Sequence, residues 1–275
     1  MSKTAKIVIL LIIVIAVGWG IGKYTAPSAS PENGTNAGSG TDLGAGPEAS
    51  PLPETEPGGQ NAGNDSSGIA SPPPADAQMV VADPDSITVM VNKQYSLPEE
   101  YKPADLVYPD VPFIFKEKIE KRMLRREAAA ALEELVAAAK QDGIHLAGVS
   151  AYRSEATQRS LFNNYVKKDG EEKARTYSAM PGHSEHQTGL AIDLSGSDGK
   201  CAAESCFAGT KEAQWLADHA TEYGYIIRFP EGKEAITGYK YEPWHVRYVG
   251  KEIAASIAER GITLEEYYDA VPVSK

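Results

Sequence analysis

Cysteine is almost missing from this chain, with two in 275 residues, Cys201 and Cys206. Two thiols cannot complete a metal site alone, and the two further ligands it would need are not nearby. They sit close enough to pair. In an oxidising compartment so small a loop gains about 2 kcal/mol from a disulfide; two free thiols are the alternative. Basic runs are missing too. The formal net charge is -11, and Pro27 to Asp83 carries eight acids with no Lys or Arg. An acidic chain without a basic cluster argues against nucleic acid as partner. No internal repeat recurs, which argues against a solenoid or propeller. Long uncharged apolar runs are absent save one, Ile7 to Gly22.

That run is read as an N-terminal membrane anchor within residues 1–26. As a helix its sixteen residues span roughly 24 Å, slightly short of the ~30 Å hydrocarbon core. Trp19 and Tyr24 extend it at the interface, and Lys3 and Lys6 before it favour a cytoplasmic N-terminus. No A-x-A cleavage site lies beyond it, so an uncleaved anchor in the cytoplasmic membrane is preferred to a removed signal peptide; either would export the rest of the chain. No cysteine stands just after the run, which argues against a lipoprotein. Residues 27–83 hold nine of the chain's 18 prolines among Gly, Ser, Ala and Asn. They have too few large apolar groups to offset chain entropy and read as a disordered linker, reaching on the order of 40 Å.

The composition turns globular at 84–275. Ile87 to Val91 is apolar and β-prone, and Asn92 to Val107 is irregular and punctuated by proline. Glu117 to Asp142 reads as one long helix, with Ile119, Met123, Leu132, Leu135, Val136 and Ala139 at three- and four-residue steps and Gly143 ending it. Ile144 to Ser150 is a short strand delivering Tyr152 and Arg153. Ser154 caps the next helix, with Leu161, Phe162 and Tyr165 on its inner face. Glu171 to Ser178 is a second, shorter helix. Lys211 to Tyr223 and Gly250 to Arg260 are helical, Leu264 to Tyr268 is a final turn, and Tyr225 to Phe229 and Tyr239 to Val246 are strands. Strands and helices do not alternate as in a parallel sheet. The expected fold is α+β, a small and mainly antiparallel sheet flanked by helices.

Chemistry gathers in Gly182-His-Ser-Glu-His-Gln-Thr-Gly-Leu-Ala-Ile-Asp-Leu194. His186 and Asp193 are seven apart, a rise of ~10 Å on a helix. Ligands of one zinc sit only ~2 Å from it, so the chain must fold back between them, and Gly189 is where it can. Leu190, Ile192 and Leu194 alternate with Ala191 and Asp193, a half-buried strand aiming Asp193 at what His186 faces. The partner stretch is Tyr241-Glu-Pro-Trp-His245-Val-Arg-Tyr248. Positions three apart on an ideal strand face opposite ways, so Pro243 must bend the chain if Glu242 and His245 share a site. Two His, one Asp and an open fourth position make a catalytic zinc site, on the sheet, with one ion in the domain. Glu242 is the group to move a proton between the attacking water and the leaving amine. Arg153, just past a strand end, offers a cationic fork to a terminal carboxylate or a developing oxyanion. Gln158 and Ser184 are expected to line the groove and Trp244 to wall it. His183 is a decoy in a Pro-Gly loop; His145 and His219 are structural or exposed.

Ser184-x-His186-x-x-Gly189-x-Ala191-x-Asp193, then Glu242-Pro-Trp-His245, with Ser150-Ala-Tyr-Arg153-Ser-x-x-x-Gln158 upstream, resembles the zinc D-alanyl-D-alanine carboxypeptidases of the vancomycin-resistance type and their L,D-carboxypeptidase relatives. The resemblance covers Val91 to Glu259. It implies His186, Asp193 and His245 as metal ligands, Glu242 as base and then acid, and Arg153 as the group that binds substrate and stabilises the transition state. It implies hydrolysis of the C-terminal D-alanine from peptidoglycan stem peptides. L,D-cleavage of tetrapeptide stems, an endopeptidase and a wall-binding module without catalysis are the alternatives.

Overall fold

A computed structural model describes residues 79–270. The apolar run and nearly all of the expected linker lie outside them. The linker's expected end does not: Met79–Val80 (β1) pairs in parallel with Tyr95–Ser96 (β2), so the folded part begins before Pro84. Among the described residues no helix is long and apolar enough to cross a membrane.

The expected helix from Glu117 starts only at Arg126. Glu120–Arg122 is a single 3-10 turn, and Leu124–Arg125 (β4) pairs antiparallel with Leu106–Val107 (β3). Competing hydrogen bonds explain the difference. The carbonyls of Lys121 and Met123 accept from the N–H groups of Ala151 and Tyr152 at 2.7 and 2.9 Å, and Arg125 N–H donates to Gly189 at 2.8 Å. Tertiary partners outbid helix propensity there, and they tie this stretch to the segments that carry Arg153 and His186. Helix α1, Arg126–Gln141, then buries Ala128, Leu132, Leu135 and Ala139 and stops at Gly143, where φ is +76°.

The central sheet is formed by Leu146–Ser150 (β5), Ala191–Gly196 (β6), Tyr225–Ile227 (β7) and His245–Tyr248 (β8). The order is β5-β6-β8-β7 with every neighbour antiparallel. β6 was expected to be half-buried, but all six of its residues are buried. It lies between two strands, with Ile192 and Leu194 in the main core and Asp193 on the opposite face against the cleft. Tyr239 to Trp244 forms no strand; proline at 243 supplies a turn instead, and β8 begins at His245. Ile87 to Val91 forms none either. The carbonyls of Ile87 and Val89 are taken by Arg247 Nη2 at 3.1 and 2.7 Å, so they are not available to a ladder.

Helix α2, Glu155–Asp169, is capped by Ser154, whose hydroxyl accepts from Thr157 N–H. Helix α3, Glu171–Ala174, is shorter than expected. Helix α4, Lys211–His219, turns Trp215 and Leu216 inward. Three short elements complete the fold, α5 at Glu234–Thr237, α6 at Lys251–Arg260 and α7 at Leu264–Tyr267.

Between β6 and α4 the chain carries a Cys201–Cys206 disulfide. Replacing both cysteines by Ser is expected to lower stability by about 2 kcal/mol through the loop entropy of the unfolded chain. For a domain of this size that is a drop of roughly 4–8 °C in Tm. Calorimetry of the oxidised parent against the double variant checks it; an unchanged Tm would mean the loop is held by other contacts.

Candidate active site

Glu185–Thr188 forms a 3-10 turn that ends at Gly189, where φ is +66°. A Cβ at Gly189 would also lie 2.8 Å from Leu106 Cδ2. Only glycine meets both demands, and the reversal it allows feeds His186 and β6 into one place. Strand pairing then does the rest. Asp193 stands directly opposite His245 in the β6–β8 register and opposite Ser150 in the β5–β6 register.

The donor atoms converge. His186 Nε2 lies 3.4 Å from Asp193 Oδ2, and His245 Nδ1 lies 3.0 Å from Asp193 Oδ1. One ligand atom from each of His186, Asp193 and His245 lies within 4.8 Å of the other two. Ligands at zinc bond lengths in a tetrahedron are spaced by ~3.4 Å, so this trio suits such an ion. Outer contacts fit as well. His186 Nδ1 is 2.8 Å from the Ala151 carbonyl; as a donor there, it leaves the Nε2 lone pair facing Asp193.

Electrostatics at the trio favour a cation. Burial works against ionisation of Asp193, yet the two imidazoles beside it hold its carboxyl well below the usual carboxylate range. Burial lowers His186 against the pull of Asp193, and the Arg153 cation adds to the lowering. His245 is also opposed by burial, but hydrogen bonds to Asp193 and Glu185 push it up to about 10. Of the two ring nitrogens, Nδ1 is the one that faces Asp193, the side on which a metal held by the trio would lie.

Glu242 reaches the same cleft because the chain turns at Pro243 and Trp244, where His245 N–H donates to the Glu242 carbonyl at 3.1 Å. Burial pushes the Glu242 carboxyl up to about 7; Asp193 and Glu185 add repulsion, and the His245 cation opposes it. A dication at the trio would draw it down again. Arg153 is aimed from behind. Its Nη1 donates to Gln158 Oε1 at 2.8 Å and its Nη2 to Ser150 Oγ at 3.2 Å. Gln158 touches the cleft and also spends its amide on this clamp, with Nε2 donating to the Ala179 carbonyl at 2.6 Å. Ser184 and Trp244 line the same cleft, of about 470 Å³, together with His186, Asp193, His245, Glu242, Arg153 and Gln158. His183 is buried with Nδ1 at 2.8 Å from the Asn92 carbonyl, His145 is exposed and His219 pairs with Glu222.

The sequence reading did not single out Glu185, Arg228, Arg247 or Glu265, which form a buried ionic group behind His245. A signal was present: Tyr225-Ile-Ile-Arg228-Phe and His245-Val-Arg247-Tyr place arginines inside apolar strand sequence, where a charge needs a partner.

Comparison with known proteins fits this geometry. The family described as VanY, D-alanyl-D-alanine carboxypeptidase, matches residues 121–251. YodJ of Bacillus subtilis (strain 168), provisionally named a carboxypeptidase, is 50% identical over 196 residues, 71% of this chain and 72% of its own. Among solved structures, the LdcB LD-carboxypeptidase aligns with a TM-score of 0.68 and 49% identity, covering 70% of this chain and 91% of that one. A point mutant of the vancomycin-resistance D,D-pentapeptidase VanY in complex with Zn(II) aligns with a TM-score of 0.53 and 31% identity, covering 66% and 98%.

Proposed function

This chain belongs to the VanY family of D-alanyl-D-alanine carboxypeptidases, and on that premise we propose that it removes the C-terminal D-alanine from peptidoglycan stem peptides with one zinc ion held by His186, Asp193 and His245. The observation that carries this reading is the meeting of two imidazoles, a carboxylate, a second carboxyl from Glu242 and a partly buried guanidinium in one cleft. When bound, zinc supplies Lewis-acid polarisation of the scissile carbonyl and a more acidic attacking water. Glu242 takes the water's proton and returns it to the amine of the departing D-alanine. Arg153 binds either the terminal carboxylate of the stem or the charge growing on the carbonyl oxygen. Trp244 and Ser184 wall the bound peptide, and Gln158 keeps Arg153 in line.

The two roles for Arg153 separate kinetically. Arg153→Lys keeps the charge and loses the planar fork. It is expected to lower kcat/KM by about 10²-fold, the scale for losing one oriented donor. A carboxylate clamp puts that loss in KM and an oxyanion donor puts it in kcat. An unchanged kcat/KM would remove Arg153 from both roles.

A second substrate reading has its own support. Identity is 49% to an LD-carboxypeptidase and 31% to a D,D-pentapeptidase, which favours tetrapeptide stems. Incubating residues 79–275 with purified muropeptides and weighing the products tests both. Loss of one alanine from pentapeptide supports D,D-cleavage; loss from tetrapeptide alone replaces it with L,D-cleavage. No release from either leaves the non-catalytic wall-binding reading.

We further place the domain outside the cell, held to the cytoplasmic membrane by residues 1–26 and spaced from it by the segment 27–78. The apolar run Ile7 to Gly22 supports this, as does the Cys201–Cys206 disulfide, which belongs to oxidising compartments. Such a tether suits a substrate laid down as a wall. Protease added to intact protoplasts should release the domain; a domain that stays protected would refute this placement.

A further inference from the structure

Glu185 is wedged between His245 and two cations. Its Oε1 accepts from Arg228 Nε at 2.7 Å and from Arg247 Nη1 at 2.8 Å. Its Oε2 faces His245 Nε2 at 3.3 Å. On its far side Arg228 donates to both oxygens of Glu265, at 2.9 and 2.6 Å, and Glu265 also accepts from Asn92 Nδ2 at 3.1 Å. Arg247 is held besides by the carbonyls of Val89 and Tyr248. All four charged residues are buried. Four charges without solvent are costly to assemble, and none of the four supplies a step in the hydrolysis. The group meets the proposed metal set at His245.

We propose that Glu185 is a positioning residue: it receives the Nε2–H of His245 and thereby commits the His245 Nδ1 lone pair to the metal. The inference rests on the metal-site reading above. An ionised carboxylate only accepts hydrogen bonds. Oε1 is occupied by two arginines, so Oε2 requires a hydrogen on the nitrogen it faces. In a neutral imidazole the other nitrogen then carries the lone pair, and that nitrogen, Nδ1, is the one 3.0 Å from Asp193. The ring has little freedom to turn. Phe229 stacks on it with centroids 5.0 Å apart, and His186 meets it edge-on at 5.0 Å.

Glu185→Gln should invert the pattern. The arginines demand the amide oxygen, so the amide NH2 turns to His245 Nε2 and donates to it. Nε2 becomes an acceptor, and the ring hydrogen moves to Nδ1, where the metal should bind. The test is a zinc competition titration of the metal-free protein against a chelator of known affinity. Glu185→Gln is expected to weaken zinc binding by roughly 10–100-fold, the usual effect of losing a partner behind a ligand. Glu265→Gln serves as the control, because it removes the same charge from the same group without touching His245. It should lower Tm comparably yet keep zinc affinity within about threefold. No loss in Glu185→Gln, or an equal loss in both variants, overturns the proposal.

If Glu185→Gln does not fold, the zinc-loaded parent decides. Long-range ¹H–¹⁵N correlation spectra are expected to show His245 coordinated through Nδ1 and protonated at Nε2; coordination through Nε2 overturns the proposal. A parent that takes up no zinc sinks instead the metal-site reading, so the two failures are distinguishable.

Discussion

Glu242→Gln is expected to leave a folded, zinc-loaded domain whose turnover has dropped by at least 10²–10⁴-fold, roughly the worth of a positioned general base. The substitution keeps the shape of the side chain and removes only its ability to take a proton. The backbone turn to His245 depends on the Glu242 carbonyl, not on its carboxyl, so the ligand set should survive. In the metal-free protein stability should rise slightly. A carboxyl driven up to about 7 by burial and by its acidic neighbours is held at a cost at neutral pH, and an amide carries no charge to desolvate. The measurements are muropeptide turnover, zinc content and Tm on one preparation. Retained turnover removes Glu242 from the chemistry; lost zinc would make it part of the ligand frame.

Asp193→Asn is expected to lose activity and metal together. Asp193 lies between the two histidines, 3.4 Å from one and 3.0 Å from the other, and supplies the trio's only negative charge. Partners behind a ligand are already worth 10–100-fold in affinity, so removing a charged ligand should cost more than ~10²-fold. Thermal melts give a second readout. Ligands that bind only the folded state raise Tm by mass action, so the parent should melt higher with zinc than after chelation. Asp193→Asn should show no such difference at the same zinc concentration. A variant that still gains Tm from zinc would place the ion elsewhere.

Most of the site was legible because its signals are local. Gly189, three residues beyond His186, marks a reversal, and the alternation of Leu190, Ile192 and Leu194 assigns Asp193 to the opposite face. The proline at 243 announces the turn that brings Glu242 beside His245. Long-range competition was not legible. Ile119 and Met123 continue a helical spacing, but the backbone around them serves Ala151 and Tyr152 across the fold. Ile87 and Val89 have strand-like side chains, yet their carbonyls belong to Arg247, roughly 160 residues away. Glu185 lay unnoticed between two motif residues because its arginines come from β8 and from the segment just after β7. No window of sequence contains that group; only the folded sheet does.

The pairing of β6 with β8 carries a final consequence. Side chains alternate along a strand, so a slip of one residue would turn Asp193 into the apolar interior and offer Leu194 to the histidines. A chain misaligned in that way would have no home for the ion and would bury a bare carboxylate. On the proposed zinc reading, only correctly threaded chains would gain the extra stability that loading provides. Molecules that fail to load should be the first lost to surrounding proteases.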